Sequence, residues 1–268
     1  MNKKVTNESG LYVESGKGEA IVLLYGLFGS VKNFQPLIKH LEKTYRVIVP
    51  KFPFYEMGYS VTIFSLTKFL HQLTIDLQLE RFHLLGNSMG GHIALLYTLQ
   101  YPDRVNSLIL SGSSGLYESG MGDTFPKRSS YEFIKTKTEL TFYNPEIATK
   151  ELVDEIYSIV NSRKALQILS LAKSTIHNNL EKELPNIKTT CCLIWGKNDI
   201  ITPPQVAEKF NQLIPGSKLH WIDFCGHVPM LETPEQFNTI LDNFLMQNPA
   251  SPFCFSPAPM LNTGIQPL

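Results

Sequence analysis

Along most of this chain, short unbroken apolar runs alternate with longer segments in which apolar residues recur at helical spacing. The runs fall at 21–25, 46–50, 82–85, 108–110, 191–195 and 219–222, are rich in Val, Ile and Leu, and are bounded by Gly or Pro. Such runs suit strands buried on both faces. Between them, Leu66, Phe69, Leu70, Leu73 and Leu77 keep helical spacing over 64–79. Segment 91–100 is apolar nearly all round, which predicts a buried central helix. Segments 203–214 and 234–246 also read as helices, the second opening on Thr233-Pro234, an N-cap followed by proline in the first turn. Strand alternating with helix predicts an α/β fold whose mostly parallel sheet is flanked by helices on both faces.

The rhythm breaks between about 113 and 185, where strand-like runs vanish and 151–159 and 163–176 look helical. Set between two sheet strands, this stretch reads as a helical cap over the strand ends, leaving 1–112 and 186–247 as the core. In 248–268, Pro249, Pro252, Pro257, Pro259 and Pro267 forbid regular structure, so the segment reads as a proline-rich tail.

Composition then narrows the function classes. The chain has 268 residues, 43% of them hydrophobic and 18% charged, enough apolar material for a substantial core. Lys plus Arg number 24 and Asp plus Glu number 24, so no charge excess marks a nucleic-acid or anionic-membrane surface. That balance favours a small-molecule substrate handled inside a pocket. Cys191, Cys192, Cys225 and Cys254 have no metal-like or paired spacing, which fits a reducing compartment. Met-Asn-Lys-Lys at the start has no apolar stretch behind it, and no run approaches the length of a membrane span. A soluble, cytoplasmic protein is expected. With no metal-ligand cluster and no phosphate loop in view, neither a metal nor a cofactor is expected.

The segment Gly86-Asn87-Ser88-Met89-Gly90-Gly91 sits after a predicted strand and before the buried helix. A turn this sharp strains its central residue and exposes the side chain, and it crowds the positions two residues either side, which must be small. Ser88 Oγ would project above the carboxyl end of the sheet. The Met89 N–H, at a helix amino terminus, would suit a developing negative charge. A serine hydroxyl needs an adjacent base. His227 is the best placed of the seven histidines, on the loop between a predicted strand and the last helix. His83 and His220 fall within strands, His40, His71 and His177 on helix surfaces, and His92 in the helix after the serine. The imidazole in turn needs a carboxylate to hold its tautomer. Asp199, just past the strand ending Trp195-Gly196, leads Asp223, which is placed to brace the histidine loop, and Asp103, which reads as a turn residue.

Serine, aspartate and histidine in that order, each at a strand end, resembles the α/β-hydrolase superfamily over about residues 12–246. The pieces carrying the likeness are Gly86-Asn87-Ser88-Met89-Gly90-Gly91, Tyr101-Pro102-Asp103-Arg104-Val105, Trp195-Gly196-Lys197-Asn198-Asp199 and Gly226-His227-Val228-Pro229. The resemblance implies Ser88 as nucleophile, His227 as general base and acid, and Asp199 as the orienting carboxylate. It also places the second oxyanion donor in Tyr25-Gly26-Leu27-Phe28-Gly29, so that the Leu27 N–H pairs with that of Met89. A serine nucleophile argues against the branches that attack with aspartate, the haloalkane dehalogenases and epoxide hydrolases.

Two departures stand out. The loop that commonly opens His-Gly opens here Tyr25-Gly26, and the stretch usually reading Asp-x-Pro-Gly-x-Gly is Lys51-Phe52-Pro53-Phe54-Tyr55-Glu56. Phe54 in place of glycine is expected to form a bulkier wall beside the pocket, with Phe28 and Val228 as further substrate-binding candidates. The Gly-Asn-Ser-Met-Gly-Gly sequence is also similar to hydrolases that cleave carbon–carbon bonds in meta-cleavage products. Those enzymes place an arginine in the cap and favour tryptophan after the catalytic histidine, where this chain has Ile156 and Val228. Arg163 is a possible substitute from the next helix. Cap aromatics Tyr117, Phe125, Tyr131, Phe133, Phe142, Tyr143 and Tyr157 read first as cap core and, where any faces the sheet, as an apolar pocket lining. The expected function is a serine hydrolase of a small to medium carboxylic ester. Carbon–carbon hydrolysis of a dienoate and a silent ligand receptor on the same fold are the alternatives.

Overall fold

A computed structural model of the chain describes residues 5–6, 10–118 and 127–250. Its strands are β1 Val5–Thr6, β2 Tyr12–Ser15, β3 Ala20–Leu24, β4 Arg46–Pro50, β5 Phe82–Asn87, β6 Val105–Ser111, β7 Cys191–Gly196 and β8 Lys218–Ile222. The α-helices are α1 Gln35–Leu41, α2 Ile63–Asp76, α3 Met89–Gln100, α4 Tyr131–Glu139, α5 Lys150–Val160, α6 Ala165–Ile176, α7 Pro204–Leu213, α8 Pro229–Glu232 and α9 Pro234–Gln247.

Among the described residues the strands form one eight-stranded sheet, ordered β1-β2-β4-β3-β5-β6-β7-β8. Pairing is parallel from β4 through β3 to β8, and antiparallel only where β2 joins β4 and β1 joins β2. All six apolar runs are strands of this sheet. Every residue of β5 and β7 is buried, as a parallel sheet covered on both faces requires. The edge pair β1–β2 extends the sheet beyond the expected strands. Tyr12-Val13-Glu14-Ser15 alternates in burial rather than running apolar, so it lacks the signal of the central strands.

Helix α3 is buried on all sides from Met89 to Thr98, as its uniform apolar sequence predicts. Helix α2 starts at a reciprocal cap: the Thr62 side chain accepts from the Ser65 N–H, and the Ser65 hydroxyl from the Thr62 N–H. At α9, Pro234 does occupy the first turn, but Thr233 does not cap it. The Thr233 hydroxyl instead donates to the Pro229 carbonyl at 3.2 Å and to Cys225 Sγ at 3.5 Å. Between β6 and β7 the chain makes α4, α5 and α6, of which α4 was not apparent in the sequence.

Cys191, Cys192 and Cys225 are free and buried, and burial pushes the thiols of Cys192 and Cys225 up to about 12. Cys254, Phe125 and the tail from 251 onward lie outside the described residues. No helix among the described residues is long and apolar enough to cross a membrane.

Candidate active site

The site begins where β5 turns into α3. Ser88 sits at the turn with φ 56° and ψ −126°, a conformation that L-residues rarely adopt. The strain is held by close packing. A Cβ on Gly86 would lie 2.5 Å from the Gly90 carbonyl carbon and from Gly91 Cα, so β5 and α3 approach as only glycines allow. Hydrogen bonds secure the turn on both sides. The Ser88 N–H donates to the Ser111 carbonyl at 3.2 Å, and the Ser88 carbonyl accepts from the Ser114 N–H at 3.1 Å.

Asp199 and His227 meet beside it. Asp199 follows β7 and is only 2% exposed, and its Oδ2 lies 2.8 Å from His227 Nδ1. The carboxylate is fully occupied: Oδ1 accepts from the N–H groups of Ile201 (2.8 Å) and Thr202 (3.0 Å), and Oδ2 also accepts from the Thr202 hydroxyl (2.8 Å). Buried Trp195 anchors this loop by donating from Nε1 to the Thr202 carbonyl at 2.8 Å. Burial alone would lower the His227 pKa. The charge of Asp199, its hydrogen bond and the charge of Glu118 outweigh burial and raise it above the usual value. Asn87, beside the serine, donates from Nδ2 to the His227 carbonyl at 3.0 Å and to the Ser111 carbonyl at 2.9 Å. Ser88 and His227 line one cavity, although no hydrogen bond among the described residues joins the serine hydroxyl to the ring. Such bonds are often long before substrate binds.

The competing acids and histidines lie elsewhere. Asp223 is exposed and pairs with Lys197 Nζ at 2.7 Å, and Asp103 is exposed in the turn after α3. His92 is buried with Nε2 on Asn178 Oδ1 at 3.0 Å, and burial lowers its pKa to about 4. His83 lies between Ser107 and Glu19, and His40 pairs with Asp242.

Gly26 approaches Ser88 so closely that a Cβ on it would sit 2.9 Å from Ser88 Cβ, and Leu27 and Met89 both line the cavity there. Met89 is the first residue of α3, so its N–H has no partner within the helix. The Leu27 N–H likewise makes no hydrogen bond among the described residues. Two residues whose amides have no partner among the described hydrogen bonds, Leu27 and Met89, therefore line the cavity with Ser88.

The two departures in sequence touch one another. The Tyr25 hydroxyl accepts from the Phe52 N–H at 2.9 Å, and its ring lies edge-on to Phe52 (5.6 Å) and Phe54 (6.1 Å). Burial pushes the Tyr25 phenol up to about 12, so it stays neutral. This corrects the placement of Phe54. Its ring stacks on Phe52 at 5.7 Å inside the core and is not on the cavity wall, whereas Phe28 and Val228 are. Tyr25→Phe strands a buried N–H and is expected to cost about 1–3 kcal/mol. Urea unfolding checks this, and an unchanged midpoint would show that the bond does not brace the loop.

The cavity, of about 260 Å³, is walled below by the Gly26 loop, Ser88 and His227 and above by α4, α5 and α6. Ile134, Leu152, Ile156, Val160 and Ala172 make the upper wall apolar. Of the cap aromatics, Phe142 reaches the cavity. Tyr131 pairs with Tyr157, Tyr143 with Phe224, Phe133 is away from the wall and Tyr117 is exposed. Arg163 is exposed and also off the wall.

Sequence reasoning passed over several supporting groups. The His227 N–H donates to the Thr141 carbonyl at 2.9 Å, tying the histidine loop to the segment that follows α4. Glu232 adds a strap, with Oε2 accepting from the Gly226 N–H (2.9 Å) and Oε1 from the N–H groups of Tyr143 (2.8 Å) and Asn144 (3.0 Å). Thr202 and Glu118 carry no motif of their own. Asn87 lies inside the serine motif and could have been read from it. No group of three or more His, Cys, Asp or Glu among the described residues could hold a metal ion.

A buried acid on an imidazole, a strained serine on the same cavity and two flanking amides form a constellation suited to acyl transfer. Comparison with known proteins agrees in fold. Residues 19–131 match the family model for the alpha/beta hydrolase fold. An alpha/beta hydrolase enzyme from the sediment metagenome of the Mar Chica lagoon, Morocco, is 39% identical, with 88% of this chain and 94% of that one covered and a TM-score of 0.73. The 2-hydroxy-6-oxo-6-phenylhexa-2,4-dienoate hydrolase of Comamonas testosteroni is 27% identical over 259 residues, 88% of this chain and 91% of that protein. A thermophilic esterase from Thermogutta terrifontis, 21% identical, superposes with a TM-score of 0.73 over 92% of this chain and 98% of its own. The chain is a hydrolase and belongs to the alpha/beta hydrolase family.

Proposed function

We propose that this hydrolase cleaves a small to medium carboxylic ester through an acyl-enzyme on Ser88, with His227 and Asp199 completing the triad. The observation that carries the reading is the strained Ser88, which shares a largely apolar cavity with an imidazole fixed by a buried carboxylate. With Nδ1 committed to Asp199, Nε2 is the ring nitrogen left to take the Ser88 proton as Oγ attacks the acyl carbon. The Leu27 and Met89 amides receive the oxyanion. His227 returns the proton to the leaving alcohol, then activates water to release the acid. No step calls for a metal or cofactor.

The ester is preferred over a dienoate because the wall carries Ile156 and Val228 where the carbon–carbon hydrolases have arginine and tryptophan. One observation favours the second reading. Lys137, on α4, is the one Lys or Arg on the wall among the described residues and could hold a substrate carboxylate, as the dienoate-hydrolase relative would need. A silent receptor is disfavoured by the strain retained at Ser88.

A fluorophosphonate probe is expected to label the wild type and not Ser88→Ala, and absence of labelling would favour the receptor. p-Nitrophenyl esters of graded acyl length, assayed beside a ring-fission dienone, separate the two enzymes. Rapid dienone turnover with negligible ester hydrolysis would reverse the assignment.

A further inference from the structure

The cavity wall holds a single Asp or Glu among the described residues, Glu118, and no hydrogen bond joins it to Ser88, His227 or Asp199. Its Oε1 is buried and, among the described residues, within hydrogen-bond distance of no partner, while the nearby Ser114 hydroxyl, likewise unpaired, favours the ionised carboxyl. Buried polar atoms are rarely left so, and an unpaired one on the wall of a binding cavity points at a ligand.

The loop carrying it is held from both sides. After β6 the Ser114 N–H donates to the Ser88 carbonyl at 3.1 Å, and the Gly115 carbonyl accepts from the Leu180 N–H at 2.8 Å on the cap side. Gly115 takes φ +120° at this bend. Glu118 follows three residues later, near enough to His227 for the two charges to interact. Lys137 is on the same cavity but forms no ion pair with it, so this carboxyl is not neutralised by the obvious cation.

Building on the ester reading, we propose that Glu118 is a substrate-contacting specificity residue whose carboxyl accepts a hydrogen bond from a hydroxyl group on the ester. A hydroxyl suits a wall that is otherwise apolar, because it satisfies the carboxyl oxygen without a second buried charge. It also serves in either protonation state, since a carboxyl accepts whether ionised or not. Burial raises the Glu118 pKa, with the nearby Ser114 hydroxyl and His227 acting against it, so the carboxyl is held less firmly ionised than an exposed one. A substrate bearing a carboxylate at this point would meet repulsion from the ionised form. The preferred ester is thus hydroxylated close to the scissile bond.

Two matched pairs cover both sides of that bond: methyl 3-hydroxybutyrate with methyl butyrate, and 2-hydroxyethyl butyrate with propyl butyrate. The readout is the ratio of kcat/KM within each pair, followed by titration of released acid. The wild type is expected to favour the hydroxylated member of at least one pair by about tenfold or more. In Glu118→Leu that ratio falls to about one, whatever the absolute rates. Glu118→Gln, which keeps an accepting oxygen and nearly the same shape, retains part of the preference.

A wild-type ratio near one in both pairs, or an undiminished ratio in Glu118→Leu, overturns the proposal. The second result would mean that Glu118 acts only on His227, which alters both members alike. Ligand-observed NMR titration of the same compounds into Ser88→Ala separates this inference from the ester reading. If no ester is hydrolysed but Ser88→Ala still binds the hydroxylated member about tenfold more tightly, the Glu118 site stands and the ester assignment falls. Equal binding with no hydrolysis removes both.

Discussion

Asp199→Asn is expected to lower kcat/KM for ester hydrolysis by about 10⁴-fold while leaving the fold intact. Asparagine can keep one oxygen where the Ile201 and Thr202 N–H groups donate, at 2.8 and 3.0 Å. Its amide nitrogen then faces His227 Nδ1, where the carboxylate oxygen stands at 2.8 Å. Donor opposes donor unless the imidazole moves its proton to Nε2, and an Nε2–H cannot accept the serine proton. Asp223→Asn provides the contrast. Asp223 is exposed and its partner Lys197 is half-exposed, so their pair contributes at most about 1 kcal/mol and the rate should stay within about twofold. The opposite ranking would move the orienting acid to Asp223.

The pH profile carries the same assignment. On the proposed mechanism activity requires neutral His227, so kcat/KM is expected to fall as pH drops through its pKa. Burial pulls that pKa down, but the Asp199 charge and hydrogen bond, with the Glu118 charge, hold it above the usual 6.5. The acid limb of the wild type therefore lies above pH 6.5. In Asp199→Asn the residual activity should persist to lower pH, because the largest raising contribution is gone. Unmoved limbs in the two proteins would show that His227 is not the titrating base.

Strands β3 to β7 were legible because nearly every residue in them is buried, and burial of that kind leaves an unbroken apolar run. The serine turn was legible because its crowding excludes all but small neighbours. Helix α4 was not, since Tyr131–Glu139 buries only Ile134 and Thr138, and apart from Tyr131 and Phe133 its other residues are polar. Phe54 shows a different limit. Its sequence position marks it as unusual, but which side of the loop it faces depends on Tyr25, 29 residues earlier, whose ring it meets edge-on. Glu118, Thr202 and Glu232 act through contacts that only tertiary folding makes, and an isolated acid or hydroxyl has no periodicity to betray it. The order serine, aspartate, histidine survives in sequence, whereas the groups that steady it are visible only in space.

Gly90→Ala is expected to cost about 4 kcal/mol or more, or to prevent folding, though it adds a single methyl group at the start of a helix. Alanine favours helices, so propensity alone would predict a gain. Packing decides otherwise. The added Cβ would fall onto the Leu24 carbonyl oxygen, 2.5 Å from the carbonyl carbon and 2.8 Å from the Tyr25 carbonyl oxygen. These atoms are backbone, and Leu24 is paired within the central sheet, so no side-chain rotation relieves the clash. Either α3 lifts from β3 or the Tyr25-Gly26 loop is displaced, and both move Ser88 relative to the Leu27 amide. Any folded fraction should therefore lose activity at least as far as removing one oxyanion donor, about 10²–10³-fold. Gly58→Ala is the control. Gly58, unlike Gly90, has positive φ, +75°, but an added Cβ meets nothing within 4 Å, so only the backbone preference of about 1–2 kcal/mol is lost. Urea unfolding and ester hydrolysis of the two variants measure the difference. If Gly90→Ala proves no less stable than Gly58→Ala and keeps its activity, the close approach of α3 to β3 is not what holds the serine in its strained position.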